Sequence, residues 1–147
     1  TPLKDGTTML LAALAASLAV CAGTATWWGG RGGVESDGAR RRLGLTSGVA
    51  LDAVLFGALW LLYAYHEASH TRSVDAGGSI VFLFFLFQGS VIALHAIWTT
   101  LAAAWAWRRP HDVRGLAPAG NVAVLSYFLV GSWLFIALLY LTPWVSF

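Results

Sequence analysis

An all-α integral membrane protein, a bundle of four bilayer-crossing helices, is the fold this sequence predicts, and three observations carry the prediction. Apolar side chains make up 58% of the 147 residues and charged ones only 11%, against about a quarter charged in soluble domains. Such a chain cannot cover a water-facing surface. The nine Lys and Arg fall between four long, nearly charge-free windows rather than within them. Stretches such as Val81-Phe82-Leu83-Phe84-Phe85-Leu86-Phe87 are apolar throughout, without the alternation of a membrane β-barrel, and lipid offers no partner to an open strand edge.

The windows run from Gly6 to Gly30, from Leu43 to His66 with Asp52 as the one interruption, from Ala76 to Trp107, and from Gly115 to Phe147. A hydrocarbon core of ~30 Å crossed at 1.5 Å per residue requires about 20 helical residues. Each window therefore holds one crossing, and helices are expected at about 7–28, 46–66, 79–107 and 121–143 of a single transmembrane domain, 1–147. The first window follows Lys4 and is rich in alanine, yet it exceeds the core of a signal peptide and three more follow it. It carries the small-residue stripe Ala12, Ala15, Ala16, Ala19, Ala22, Gly23 and Thr26, and Gly44 and Gly48 repeat that spacing in the second window. Such stripes let membrane helices approach closely. The lone Cys21 lies among these alanines, so no disulfide framework or thiolate metal site is expected.

Four crossings place loops 29–42 and 108–119 on one side, with Arg31, Arg40, Arg41, Arg42, Arg108, Arg109 and Arg114. Lys4 and Arg72 belong to the other side. Arginine-rich short loops stay cytoplasmic, which predicts a multi-pass protein of a prokaryotic inner membrane with both termini outside. Trp27, Trp28, Trp105 and Trp107 would then form the cytoplasmic aromatic belt, and Tyr63, Tyr65 and Trp144 the outer one. The basic residues speak of orientation and not of a nucleic acid partner, for which a basic face with room for bases would be needed.

Four motifs bear on chemistry. His66-Glu67-Ala68-Ser69-His70 fits the HExxH zinc pattern, and an intramembrane metalloprotease is one alternative reading. A third ligand is wanted from another helix, yet the third and fourth windows hold no Asp or Glu; a solvated helix end is the simpler reading, and no metal or catalytic residue is assigned. His95 lies deep in the third window, where a haem would require a second histidine at matching depth; a bond to a neighbouring helix or partner is expected instead. Asp52 is expected near the cytoplasmic boundary in helix packing, a proton path being the competing role, and Gln88 is expected to face protein rather than lipid. Asp52, Gln88 and His95 are thus the candidate buried polar or subunit-contact residues, together with the helix face from Ala12 to Gly23. A free-standing carrier or quinone-interacting protein built around Asp52 and His95 is the third reading.

The order of segments resembles subunit III of haem-copper terminal oxidases such as cytochrome c oxidase. The resemblance rests on Leu43-Gly44-Leu45-Thr46, on Leu61 through Tyr65-His66-Glu67-Ala68-Ser69-His70-Thr71, on Gly78-Ser79 before a phenylalanine-rich helix, on Leu94-His95-Ala96, and on Trp133-Leu134-Phe135. Thr1-Pro2-Leu3-Lys4-Asp5-Gly6-Thr7 is similar to the opening of an earlier helix of that family. Departures occur at Ala64, at Gln88 or Ile92, at Tyr127 and at Val130. The resemblance implies a divergent chain corresponding to the last four of the family's seven helices and a subunit III-like fold. It further implies a non-catalytic accessory subunit of a proton-pumping oxidase in aerobic respiratory electron transport. Haem and copper would belong to the catalytic partner, subunit I, and this chain would bind no cofactor beyond ordered structural lipids. Other respiratory-complex subunits and membrane lipids would be its remaining partners.

Overall fold

A computed structural model of the chain describes residues 6–31, 38–69, 76–109 and 112–141. Four long helices account for nearly all of them: α1 Gly6–Gly30, α2 Gly38–Ser69, α3 Ala76–Arg108 and α4 Leu116–Leu141, with a single 3-10 turn at Val113–Gly115. Each contains a stretch long and apolar enough to cross a membrane. The protein is therefore a multi-pass, all-helical membrane bundle. α1 packs on α2 and α4, and α3 on the same two, so α1 and α3 lie on one diagonal of the bundle and α2 and α4 on the other.

Two helices begin well before the expected starts at 46 and 121. α2 starts at Gly38 and carries Arg40, Arg41 and Arg42 in its first turns, because arginine is a good helix former and nothing there interrupts the coil. α4 starts at Leu116, with Pro118 inside its first turn, where proline lacks only an N–H that would find no helical partner anyway.

Lipid tails are as apolar as leucine, so burial of hydrocarbon does not by itself hold such helices together; packing and interhelical polar bonds do. The alanine stripe of α1 supplies the packing. Ala12, Ala15, Ala19 and Ala22 are fully buried in one cluster with Leu55, Leu59, Leu62, Ile92, Leu129 and Trp133. This face lies inside the chain's own bundle and is not a surface for a partner subunit. Nearer the arginine-bearing end the backbones touch: a Cβ on Gly44 would stand 2.7 Å from Ala25 O and from Gly29 Cα, and one on Gly30 would stand 2.8 Å from Ala119 O. At the opposite end α2 and α3 meet through rings, with the Tyr63 centroid 5.1 Å from Phe85 and 6.1 Å from Phe82. Phe82, Leu83, Leu86 and Phe87 remain exposed around α3, as a lipid-facing surface requires.

The arginine-bearing end is collared by stacked pairs. Arg31 lies over Trp27, Arg40 over Trp28, Arg42 over Trp107 and Arg114 over Trp105, with guanidinium-to-ring distances between 4.7 and 5.9 Å. Arg40 of α2 also donates to the carbonyls of Trp28 and Arg31 at 2.6 and 3.0 Å, which caps the C-terminus of α1, where helical carbonyls lack partners. Arg42 donates to Ala106 O and Trp107 donates to Thr46 Oγ1, tying α2 to the end of α3.

Asp112 organises the turn into α4. Its carboxylate accepts from the Arg114 backbone N–H and from the Arg114 guanidinium at 2.9–3.2 Å, and these bonds, the side-chain ones foremost, hold its pKa below the usual range. A depressed folded value means that the ionised bonds contribute fully above the unfolded value of about 3.9 and are lost as pH falls through the lower folded one. Protection of the Arg114 amide from hydrogen exchange, relative to its intrinsic rate at each pH, is expected to fall in that acid window in the native chain, and to be low and unchanged across it in Asp112→Leu.

Candidate functional site

One buried polar cluster joins all four helices. Asp52 comes from α2, His95 from α3, Thr26 from α1 and Ser126 from α4, and each side chain is at most 2% exposed. His95 Nδ1 lies 2.6 Å from Asp52 Oδ2. On the other side of the ring, Nε2 lies 3.1 Å from Thr26 Oγ1 and 3.3 Å from Ser126 Oγ. The two hydroxyls are 2.6 Å apart, and both reach back to their own helices, Thr26 to Ala22 O at 2.8 Å and Ser126 to Val122 O at 2.7 Å. Thr99 donates to the His95 carbonyl oxygen at 2.6 Å.

Local sequence explains why these groups converge. Asp52 and His95 stand near the middle of antiparallel neighbouring spans, so they share a depth. Gly48 lies one helical turn before Asp52, and a Cβ there would overlap the Thr26 methyl group; the missing side chain admits Thr26 between α1 and α2. Gly23 serves α4 likewise, since its Cβ would overlap the Val130 methyl and come within 3.2 Å of Ser126 O. The glycines bring Thr26 and Ser126 to the imidazole.

Asp52 therefore sits at mid-span as a partner of His95 and not near the cytoplasmic boundary. A carboxylate so far from water requires a counter-group, and the imidazole is it. His95 also binds neighbouring helices, with both ring nitrogens in contact with side-chain oxygens. Gln88 is buried two turns from His95 in a separate contact, where Ser132 of α4 donates to its Oε1 at 3.4 Å. Thr26 and Ser126 are the members that sequence reasoning missed. Thr26 reads as one more small residue of the α1 stripe, and Ser126 carries no motif.

His66 and Glu67 belong to the last turns of α2, but their side chains and the whole of His70 lie outside the described residues, as do His111 and Trp144. Among the described residues no group of three His, Cys, Asp or Glu could hold a metal ion.

The order Asp52, His95, Ser126 has the connectivity of a hydrolase triad. The backbone around Ser126 supplies no oxyanion donors, because Ser126 lies within an unbroken helix whose N–H groups are engaged along α4. The cluster can hold and pass a proton, and it can bind the four helices together. No protein-family model, curated protein or solved structure matches the chain.

Proposed function

We propose that the chain is a non-catalytic accessory subunit of a proton-pumping haem-copper terminal oxidase, with subunit III-like architecture, packed against the catalytic subunit in a prokaryotic inner membrane. The observation that carries this reading is the division of its surfaces. The polar groups Asp52, His95, Thr26 and Ser126 are consumed in contacts among the four helices, while large apolar side chains such as Val124, Tyr127, Phe128, Leu134, Phe135 and Leu138 cover the outside of α4. An apolar exterior around a polar cluster bonded among the chain's own helices suits a packing subunit, and the order of segments from Leu43-Gly44 to Trp133-Leu134-Phe135 is similar to that of the family. Haem and copper would then reside in the partner. The arginine collar supports loops 29–42 and 108–119 as cytoplasmic and both termini as external.

Purification of the tagged chain from its native membrane in mild detergent tests the assignment. The expected result is stoichiometric co-purification of a larger subunit with haem absorption and oxidase activity. Recovery of the chain free of haem and of any oxidase polypeptide would overturn it.

A further inference from the structure

The hydroxyls and imidazole of the four-helix cluster admit two hydrogen-bonding schemes that differ by one proton, with Asp52 Oδ1 unpartnered in both. With a neutral imidazole, His95 Nδ1–H donates to Asp52 Oδ2, Thr26 donates to Nε2, and Ser126 donates to Thr26 Oγ1. With an imidazolium, Nε2–H donates to Thr26 Oγ1, Thr26 donates to Ser126 Oγ, and Ser126 donates to Val122 O. Both schemes use the same heavy-atom positions, and the direction of the hydroxyl chain reverses between them. Chains of hydrogen bonds that satisfy every member in either sense are the structural requirement for passing a proton without moving the backbone.

Ser126 lines a groove of about 540 Å³ between α1 and α4, whose other walls are Gly23, Thr24, Trp27, Tyr127, Val130 and Gly131. At the inner end of the hydrogen-bond chain, Asp52 Oδ1 is buried without a hydrogen-bond partner, so the carboxylate is incompletely stabilised and favours an added proton close by. The groups facing the imidazole are Thr26 from α1, Asp52 from α2 and Ser126 from α4; on α3 itself Thr99 bonds the His95 backbone carbonyl and not the ring. Arg41 and Arg42 precede Asp52 by about three turns of α2, some ~15 Å along the axis, and Gln88 contacts Ser132 instead.

We propose that Asp52, His95, Thr26 and Ser126 form a reversible proton-binding site that exchanges with the α1–α4 groove through the Ser126 hydroxyl. An acid in the groove, water or a hydronium ion, gives a proton to Ser126 Oγ; the original Ser126 proton passes to Thr26 Oγ1, and that of Thr26 to His95 Nε2. Release follows the same path backwards. Asp52 remains the counter-charge throughout, and no electron moves.

The test uses the full chain in lipid nanodiscs, with the ring nitrogens of histidine labelled and followed by solid-state NMR through a pH titration and after transfer to deuterated buffer. His95 is expected to exchange its Nε2 proton with solvent through the groove. Ser126→Ala and the isosteric Thr26→Val each break the hydroxyl chain while leaving the Asp52 contact, and are expected to slow that exchange at least tenfold; Thr26→Ser is expected to retain the native rate. A His95 ring whose nitrogen protons never exchange with the deuterated buffer would overturn the proposal, and so would native exchange rates in folded Ser126→Ala or Thr26→Val. If Thr26→Val fails to fold, Ser126→Ala against Thr26→Ser decides. The outcome is independent of which larger complex holds the chain.

Discussion

Replacing His95 by leucine is expected to destabilise the bundle more than replacing His95 and Asp52 together. The single change leaves the Asp52 carboxylate, 1% exposed, at mid-span with no counter-group, and removing one member of a buried ion pair costs about 3–5 kcal/mol. His95→Leu with Asp52→Leu removes both polar groups and is expected to regain most of that loss, because net polar coupling between membrane helices averages only about 0.6 kcal/mol. Desolvation of the abandoned carboxyl therefore outweighs the bond itself. Reversible unfolding in bilayers or bicelles measures the difference, and a double variant weaker than the single one would refute this account of the pair.

Gly44→Leu is the second large effect. A side chain there meets Ala25 O, Gly29 Cα and Gly29 N, all within 2.9 Å and all backbone, so no rotamer change relieves the overlap and α1 must part from α2. Overpacking of this kind costs about 3 kcal/mol or more. The parting would also withdraw Arg40 from the carbonyls of Trp28 and Arg31. Gly57 on the same helix has nothing within 4 Å of its would-be Cβ, so Gly57→Leu is expected to leave stability nearly unchanged under the same unfolding protocol. Equal losses at the two positions would mean that the α1–α2 crossing is not the constraint described.

The helices were legible because solvation in lipid is severe: four uncharged windows of sufficient length leave few alternatives. Their ends were less so. Arg40, Arg41 and Arg42 look like the boundary of a span, yet they continue α2, since charged heads at an interface do not oblige the backbone to stop. The site was legible only in part. Asp52 and His95 each stand out as polar residues in apolar surroundings, but 43 positions separate them, and only their similar depth on antiparallel neighbours connects them. Counting from Arg42 and from Arg108 gives about 15 and 20 Å, a coincidence that identifies the pair once it is looked for. Thr26 could not be separated from the alanines around it, because its role depends on the room left by Gly48, a residue on another helix.

The collar of guanidinium and indole at one end gives the molecule a fixed waterline. Stacked cations and indoles prefer the headgroup layer, and four such pairs distributed over α1, α2, α3 and the turn that leads into α4 leave little freedom to tilt or slide there. Variation in bilayer thickness must then be absorbed at the far rim, where phenylalanines and leucines of α3 can slip between acyl chains and headgroups at small cost. Thickening the membrane should pull that rim inward while the collar keeps its register.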